Sequence, residues 1–454
     1  MRFISRLQVF VIMSVCCLQV TAQKTEIEIH QINVGNGDGA LIKLYDNSVD
    51  PVYTIVIDGG LRSSSNKFLP YLKKELPDIP GKVGKKKINW VILSHNHQDH
   101  FNGLIQLFKD PDFVVERITD QGGYSITEGS YVLPLKVPMN SNSVPFITPA
   151  KGKKTPQPAL IGYVNAVKHI NDQSKKITKT DITRVIGFDT STKTFQNISL
   201  PTVGGVAVSM ICIAANAYTR GNSATTARNI GNLNANNFSY GWILQFGQFR
   251  FYTGGDLGGI GGGYTDQETP MAKYLKGAYP SSYPLDGSET TKKFEGHVCL
   301  IKTNHHGSTN SSDADFLASM AYSAIVTSAG KHARWKIPTV EFVNRVADNR
   351  SFGAKQGIYF TQLYDYGSEK ALTRANAMFA GKKKPYDYIP PPKDETDQFS
   401  FVFVVQKSTT FEVSKGVPKT VDITAESVFN VFRVSTSANK KDRQHFFQCH
   451  KPSL

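Results

Sequence analysis

The sequence has few cysteines and, beyond its N-terminus, no long apolar run. Only five of the 454 residues are cysteine, so a dense disulfide framework is not what holds the fold together. No later segment approaches the roughly 20 consecutive apolar residues of a membrane-spanning helix. Hydrophobic residues make up 40% and charged residues 20% of the chain, which is typical of folded globular proteins. The length fits one large α/β core, or about two or three domains.

Acidic residues are scarce relative to basic ones. The chain carries 52 Lys and Arg against 37 Asp and Glu, a formal net charge of +15. Such a surplus favours polyanionic partners, such as nucleic acid or an anionic cell-surface polymer. Three lysine clusters lie in loop-like segments at 85–87, 151–154 and 382–384, where charges are commonly only solvated. The charge therefore favours a polyanionic substrate without identifying it.

The N-terminus has the layout of a secretory signal. Arg2 and Arg6 form a basic start, a mostly apolar stretch follows, and small residues at 20–22 offer a cleavage site. We therefore expect a signal peptide over 1–22. The mature protein would be exported, periplasmic or extracellular, without a transmembrane segment.

The cysteines bear on the same question. Acylation of Cys16 or Cys17, as in a lipoprotein, is less favoured because the bulky Val15 precedes the first of them. Cys212 and Cys299 lie in apolar, strand-like runs. The sequence predicts both as small core residues.

The segment 94–100, SHNHQDH, is the most informative in the chain, and it follows the apolar run 88–93. This pattern predicts a buried strand that ends in a polar loop. Imidazole and carboxylate are ligands that divalent transition metals prefer, and no cysteine lies nearby to suggest a thiolate site. Four such side chains would repel one another if protonated and gain nothing if merely solvated. The loop therefore predicts a metal site.

Four further motifs lie on either side of this loop. They are VGNGDGA at 34–40, IVIDGG at 55–60, FYTGGDL at 251–257 and KTNHHGS at 302–308. Together with H-x-H-x-D-H, they resemble the motifs of the metallo-β-lactamase superfamily, in the order of that family. The first is similar to one branch, which contains the hydrolase domain of DNA-internalisation competence proteins and related secreted hydrolases. The five motifs together are specific, although each alone, apart from the histidine loop, would be weak.

The resemblance implies an α/β fold, a four-layer αββα sandwich with two mixed sheets back to back and the metals at one edge. The hydrolase domain would span 23–365, with a middle insertion at about 110–234. Residues 366–454 would form a C-terminal extension with closing strands and a mobile tail.

Local patterns supply the expected elements of this fold. Strands are predicted at 27–34, 40–45, 53–57, 88–93, 358–361 and 399–405, the last two closing the second sheet. Helices are predicted at 68–76, from 103 onward, and, as an amphipathic helix, at 159–174.

The resemblance also implies two divalent metal ions, with Zn²⁺ favoured and Mn²⁺ suited to the same ligand types. His95 and His97 would hold one ion, Asp99 and His100 would hold the other, and Asp256 would bridge both. The implied ligands are His95, His97, Asp99, His100, Asp256 and His306.

The implied chemistry is hydrolytic. Two closely spaced cations would activate a bridging water and neutralise charge on an attacked phosphate. Asp99 would orient that water and take its proton. Either histidine of the 305–306 pair fits the last ligand, and we favour His306, with His305 turned toward the substrate. His305, Lys302 or Ser308 would then stabilise the leaving oxygen or the developing charge.

Two departures from the family pattern qualify this expectation. Many relatives supply a third histidine to the first ion, but only His169 lies between the loop and the bridging aspartate, on a predicted helix. Asn237 and Ser239 resemble the residues that the competence branch has there, so the third ligand stays unassigned. Within 328–338, Ile337 stands where relatives usually have a histidine, which bears on the identity of the substrate.

The function predicted first is an exported two-metal phosphodiesterase or nuclease acting on nucleic acid or a surface phosphodiester. One alternative is a metal-dependent hydrolase of a lactone, β-lactam or other ester, since fold and metal do not fix the substrate. Another is a non-catalytic interaction protein, against which the intact ligand set argues. No nucleotide cofactor is expected, because Gly35-x-Gly37-x-x-Ala40 precedes a strand-like segment and not the helix that a dinucleotide motif needs.

Overall fold

The structure is a computed structural model that describes most of the chain from Ala22 onward. Residues 1–21 of the expected signal peptide, with Cys16 and Cys17, therefore lie outside the described residues. Within them, no helix is both long and apolar enough to cross a membrane. The described residues are 22–62, 67–121, 126–127, 130–131, 158–189, 192, 194–221, 235–247, 249–259, 265–278, 280–284, 291–295, 298–320, 322–330, 337–348, 356–361, 386–389, 399–406, 410–413, 417–420, 428–435 and 441–448.

Strands make up most of the regular structure. In chain order they are β1 Lys24–Gln31, β2 Ala40–Ser48, β3 Tyr53–Ile57, β4 Asp78–Ile79, β5 Lys82–Ile92, β6 Phe113–Thr119, β7 Ile126–Thr127, β8 Ser130–Tyr131, β9 Thr183–Arg184, β10 Phe188–Asp189, β11 Thr194–Phe195, β12 Asn197–Val203, β13 Val206–Ala215, β14 Tyr218–Thr219, β15 Gly241–Phe246, β16 Phe249–Thr253, β17 Pro280–Pro284, β18 Thr291–Glu295, β19 Leu300–Lys302, β20 Ala324–Thr327, β21 Gln356–Phe360, β22 Tyr386–Ile389, β23 Phe399–Gln406, β24 Thr410–Val413, β25 Val417–Thr420, β26 Val428–Ser435 and β27 Lys441–Gln448.

Helices are fewer and alternate with the strands. The α-helices are α1 Phe68–Glu75, α2 Gln98–Lys109, α3 Pro158–Thr178, α4 Glu268–Ala278, α5 Ala314–Met320 and α6 Val340–Asp348. Two short 3₁₀ turns span Ala235–Phe238 and Asn304–Gly307.

Two large mixed sheets form the centre of the molecule. The first has the strand order β27-β26-β23-β1-β2-β3-β5-β6-β9, with β4 beside β5. The second has the order β12-β13-β15-β16-β19-β20-β21-β22, with β14 beside β13. In each sheet one half is antiparallel and the other parallel. The parallel halves run β3-β5-β6-β9 and β16-β19-β20-β21-β22.

The sheets face each other across a core that includes Trp90 and Trp242, whose rings meet edge to face at 5.4 Å between centroids. The other face of each sheet is covered by helices, α1 to α3 on the first and α4 to α6 on the second. Both faces of each sheet are therefore buried, which explains why its strands read as nearly continuous apolar runs. In β2, for example, Ile42 faces the second sheet and Leu41 faces the helices. The predicted αββα sandwich is confirmed.

The local predictions were close in the N-terminal part, with one informative difference. Helix α2 begins at Gln98, five residues earlier than the expected start at 103. Asp99 and His100 therefore lie in its first turn, where the positive end of the helix dipole favours the Asp99 carboxylate.

The middle and the C-terminal parts differ more from expectation. Within the predicted insertion at about 110–234, β6 lies in the first sheet and β12 and β13 lie in the second. Of the two strands expected to close the second sheet, only β21 does so. Strand β23 pairs with β1 in the first sheet instead. A strand pattern reports burial but not which sheet receives the strand, so this pairing could not be deduced locally.

The two described cysteines also differ from each other. Cys212 is free and buried, as expected for a small core residue. Cys299 is equally buried but is disulfide-bonded, which corrects the expectation of a simple core residue. Its apolar surroundings gave no indication of this bond.

Candidate metal centre

The candidate site lies where the parallel halves of the two sheets end. Asp58 follows β3, the histidine loop follows β5, Asp256 follows β16 and the 304–307 turn follows β19. Carboxyl ends of parallel strands meet at one edge, which is where ligand sites of α/β folds commonly form. The topology therefore brings together residues as far apart in the sequence as Asp58 and His306.

Asp58 orients the histidine loop through hydrogen bonds to Ser94 and His100. Its carboxylate accepts hydrogen bonds from the backbone N–H of Ser94 at 2.7 Å, from Ser94 Oγ at 2.7 Å and from His100 Nδ1 at 2.9 Å. Because Nδ1 of His100 donates to Asp58, Nε2 is the nitrogen that offers a lone pair once the ring is neutral. The Ser94 hydroxyl also lies 3.1 Å from His95 Nδ1. Since that hydroxyl donates to Asp58, it accepts from His95 Nδ1, and the Nε2 lone pair of His95 likewise points into the site.

We expect Asp58→Asn to weaken metal binding by about 10- to 100-fold, the usual effect of removing a partner that orients a ligand. The three donors use both carboxylate oxygens, Oδ1 for the Ser94 N–H and Oδ2 for Ser94 Oγ and His100 Nδ1. An amide has one acceptor oxygen, so its N–H₂ group would face at least one of these donors. Competition with a chelator of known affinity measures the change, and Asp50→Asn, on the surface, is the matched control. Wild-type affinity in Asp58→Asn would show that Asp58 does not orient His100.

Asp256 stands at the centre of the site, and its two carboxylate oxygens face different histidines. Oδ1 lies 3.3 Å from His100 Nε2 and 3.3 Å from His306 Nε2. Oδ2 lies 3.5 Å from His95 Nε2 and 3.7 Å from His305 Nε2. Ligand atoms about 2.1 Å from one tetrahedral ion are about 3.4 Å from each other. Each oxygen of Asp256 is therefore spaced from its imidazoles as ligands of a shared ion would be.

The two sets of potential ligands overlap at Asp256. In each set the ligand atoms lie within 4.8 Å of one another. Asp99 lies beside the set that contains His100 and His306, with Oδ2 at 3.4 Å from His306 Nε2 and 3.9 Å from His100 Nε2. The sets are Asp38, His100, Asp256 and His306, and His95, His97 and Asp256.

Unpaired polar atoms test whether a cation fits. His100 Nε2, His306 Nε2 and Asp256 Oδ1 are buried, and none has a hydrogen-bond partner among the described residues. Buried polar atoms are nearly always paired, so three that converge on one point indicate a shared partner. A divalent cation with imidazole and carboxylate ligands satisfies all three.

The electrostatics agree with that fit. Burial disfavours charge on His100 and His306, but the neighbouring carboxylates outweigh burial and raise the pKa of both rings well above the usual value. Burial lowers the pKa of His95, His97 and His305. The site thus attracts positive charge, and protons on His100 and His306 must leave when a metal binds.

The 304–307 turn presents two consecutive histidines to Asp256. His305 and His306 both have left-handed backbone, with φ of 44° and 53°, a conformation that is costly outside glycine and is held by its surroundings at functional sites. Asn304 anchors the turn by donating to Glu268 at 2.7 Å and accepting from Tyr252 Oη at 2.9 Å.

Glu268 organises the segment that follows the turn. Besides Asn304, its carboxylate accepts from the backbone N–H of Ser312 at 2.6 Å and of Asp313 at 2.7 Å. Burial raises the pKa of Glu268 to about 8, although the hydrogen bonds from these donors act to lower it. Sequence reasoning missed this residue, because an acid in the first turn of a helix is ordinary.

Lys302 does not lie where the sequence analysis placed it. Its side chain is 2% exposed, and its ammonium pairs with the Asp38 carboxylate and donates to the Gly255 carbonyl at 3.2 Å. It therefore lies behind the ligands and is not open to a leaving group, which corrects the role suggested for it. As the last residue of β19 its side chain points inward, a direction that the motif alone does not reveal.

Asp38 lies within 4.8 Å of the ligand atoms of His100, Asp256 and His306, but its surroundings argue against a ligand role. Its Oδ1 lies 3.3 Å from His306 Nδ1, the nitrogen that also donates to the Ser328 carbonyl at 3.0 Å. His306 thus turns Nδ1 toward Asp38 and Nε2 toward Asp256. We assign Asp38 to the layer that orients His306.

The glycine-rich motif at 34–40, which carries Asp38, packs closely against the start of α2. Gly37 has φ of +96°, and a Cβ there would lie 1.7 Å from the Asp99 carbonyl oxygen. Only glycine allows the loop to approach the start of α2 so closely.

The residues considered for the third ligand of the first ion lie elsewhere. His169 is exposed on α3. Asn237 donates to Gln267 Oε1 at 3.1 Å, and Ser239 Oγ accepts from the Asp256 N–H at 3.1 Å. Ser239 therefore supports the backbone of Asp256, and Asn237 contacts the segment before α4.

Comparison with known families matches residues 50–208 to the Metallo-beta-lactamase superfamily. The match includes Asp58 and the histidine loop. The match identifies the superfamily and not the branch of competence proteins, which stays a prediction. No curated protein matches the chain.

Several solved structures are similar in fold. CmlA, a diiron beta-hydroxylase from Streptomyces venezuelae, is 12% identical with a TM-score of 0.34, over 81% of this chain and 53% of that one. Igni18, a metallo hydrolase from Ignicoccus hospitalis, is 9% identical with a TM-score of 0.33, over 76% and 97% of the two chains. Zn(2+)-bound PqqB from Methylobacterium extorquens is 9% identical with a TM-score of 0.33, over 80% and 98%. The chain thus spans about half of the Streptomyces protein. Likenesses this weak do not bear on function.

Proposed function

Residues 50–208 match the metallo-β-lactamase superfamily, and on that premise we propose that the chain is a metal-dependent hydrolase of this family, an exported two-metal phosphodiesterase. The observation that carries the proposal is the position of Asp256 between four imidazoles, two facing each carboxylate oxygen. A carboxylate shared in this way suits two cations, and the ligand types suit Zn²⁺ or Mn²⁺.

The net charge supports a phosphodiester substrate. A surplus of +15 attracts polyanions, and paired cations can contact both the attacking and the leaving oxygens of a phosphoryl group. Nucleic acid and an anionic surface polymer share this chemistry.

The side chains divide the remaining work. Bound metals would lower the pKa of a shared water and neutralise charge on the phosphate. The side chain of Asp99 is 34% exposed, whereas that of Asp256 is 2% exposed. Burial disfavours charge on Asp99, but His100 and His306 outweigh it and hold its pKa below the usual value. Asp99 is thus an ionised carboxylate at the open edge, suited to orient a water and take its proton.

The disulfide at Cys299 supports export. Disulfides persist in oxidising compartments and are rare in the cytosol. Together with the signal-like N-terminus, this favours a periplasmic or extracellular location.

A parallel assay tests the proposed activity. The metal-loaded protein should hydrolyse bis-p-nitrophenyl phosphate or DNA in preference to nitrocefin and a lactone, and the double variant His97→Ala/Asp99→Ala should lose that activity. If nucleic acid is the substrate, its binding should weaken steeply with salt as counterions are released. Hydrolysis of nitrocefin alone would overturn the phosphodiesterase proposal.

A further inference from the structure

We infer that His305 is the missing third ligand of the metal held by His95 and His97, in place of the histidine that many relatives supply from the middle of the chain. The inference rests on the proposed two-metal function and deepens it. It also gives His305 a different task from the one the sequence suggested, which was to face the substrate.

The geometry around Asp256 Oδ2 is the first observation. This oxygen lies 3.5 Å from His95 Nε2 and 3.7 Å from His305 Nε2. His97 Nδ1 lies 2.9 Å from the same nitrogen of His95. His305 Nε2 therefore faces the Asp256 oxygen next to His95 and His97, whereas His306 Nε2 faces the other oxygen, Oδ1.

The direction of a hydrogen-bond chain fixes which nitrogen of His305 carries the lone pair. Ser311 Oγ donates to the Asn304 carbonyl at 2.9 Å, so Ser308 Oγ donates to Ser311 Oγ at 3.0 Å. The Ser308 oxygen is then left to accept from His305 Nδ1 at 3.2 Å. With its proton on Nδ1, the imidazole turns the Nε2 lone pair toward Asp256, as a metal ligand must.

The backbone makes this arrangement rigid. Two left-handed residues in a row send neighbouring imidazoles to opposite oxygens of one carboxylate. Arg345 holds the following segment by donating to the carbonyls of Ser308 at 3.0 Å and Ser311 at 2.8 Å. The hydrogen bonds of these two serines therefore set the His305 tautomer before a metal binds.

Metal content distinguishes a ligand from a substrate-facing residue. After dialysis, wild type should keep close to two ions per chain, and His305→Ala should keep close to one, with about half of the visible absorption of the cobalt-substituted protein lost. His305→Glu, whose carboxylate reaches about as far as Nε2 and binds the same metals, should restore the second ion. His169→Ala, on the exposed face of α3, should retain two.

The outcomes separate the inference from the function beneath it. Two ions in His305→Ala at wild-type affinity would overturn the ligand assignment and leave the two-metal proposal standing. Failure of wild type to bind two ions would overturn both. If His305→Ala unfolds, His305→Glu decides alone, since one ion in a folded Glu variant contradicts the assignment and two ions support it.

Discussion

Asp256→Asn should strip both metal ions from the protein and lower hydrolysis by at least about 10³-fold, equivalent to about 4 kcal/mol of transition-state stabilisation. Asp256 is the one carboxylate that both ligand sets share. The amide keeps the shape of the side chain but removes its charge and turns an N–H₂ group toward one set of imidazoles. Neither ion then retains its shared anionic ligand, so both affinities should fall together.

Asp266→Asn is the matched control for this variant. Asp266 accepts a hydrogen bond from the Thr269 N–H at 3.0 Å at the start of α4, a helix-capping role that asparagine fills equally well. It should retain two ions and wild-type activity. Metal analysis after dialysis, run beside the phosphodiester assay, measures both effects. One tightly bound ion in Asp256→Asn would mean that Asp256 serves a single metal and does not bridge.

Residues of the site that follow strands could be predicted from the sequence, because the cue is local. The run before His95 and the FYTGGD segment before Asp256 each read as a buried strand that ends in ligand-type side chains, and the structure places both at one sheet edge. The fold was implied by the family resemblance that the same motifs carry. The strand ends themselves are features that short-range patterns encode well.

The remaining features depend on long-range geometry. His305 and His306 are identical neighbours in the sequence, and only their left-handed backbone determines which oxygen of Asp256 each one faces. Glu268 supports Asn304 from 36 residues away, and no local pattern links them. The inward direction of Lys302 likewise depends on the loop that carries Asp38. Such contacts form between elements whose packing a single sequence does not specify.

Asp38→Asn should destabilise the metal-free protein by about 3–5 kcal/mol, the usual effect of leaving one partner of a buried ion pair unpaired. Lys302 is 2% exposed and Asp38 is 6% exposed, and their contact joins the glycine-rich loop to the end of β19. Without the carboxylate, the ammonium would stay buried beside His306, which is itself drawn toward positive charge. Chemical denaturation in the presence of a chelator measures this loss without a contribution from bound metal.

The dependence on pH follows from the ionisation of Asp38. Burial opposes its ionisation, but Lys302 and His306 outweigh burial and lower its pKa. A carboxyl group whose pKa is lowered by folding stabilises the fold above its unfolded-state pKa of about 3.9 and loses that contribution as pH falls through the folded value. The penalty of Asp38→Asn should therefore be full at pH 7 and shrink in strong acid.

Two comparisons show whether burial of the pair is the cause. Lys175 and Asp181 also form an ion pair, at 2.8 Å but on the surface, so Lys175→Met should hardly move the unfolding midpoint. The double variant Asp38→Asn/Lys302→Met removes the stranded ammonium and should recover a large part of the stability lost in Asp38→Asn. A double variant as unstable as Asp38→Asn would mean that Asp38 stabilises the fold through His306 and the loop backbone, and that its pairing with Lys302 contributes little.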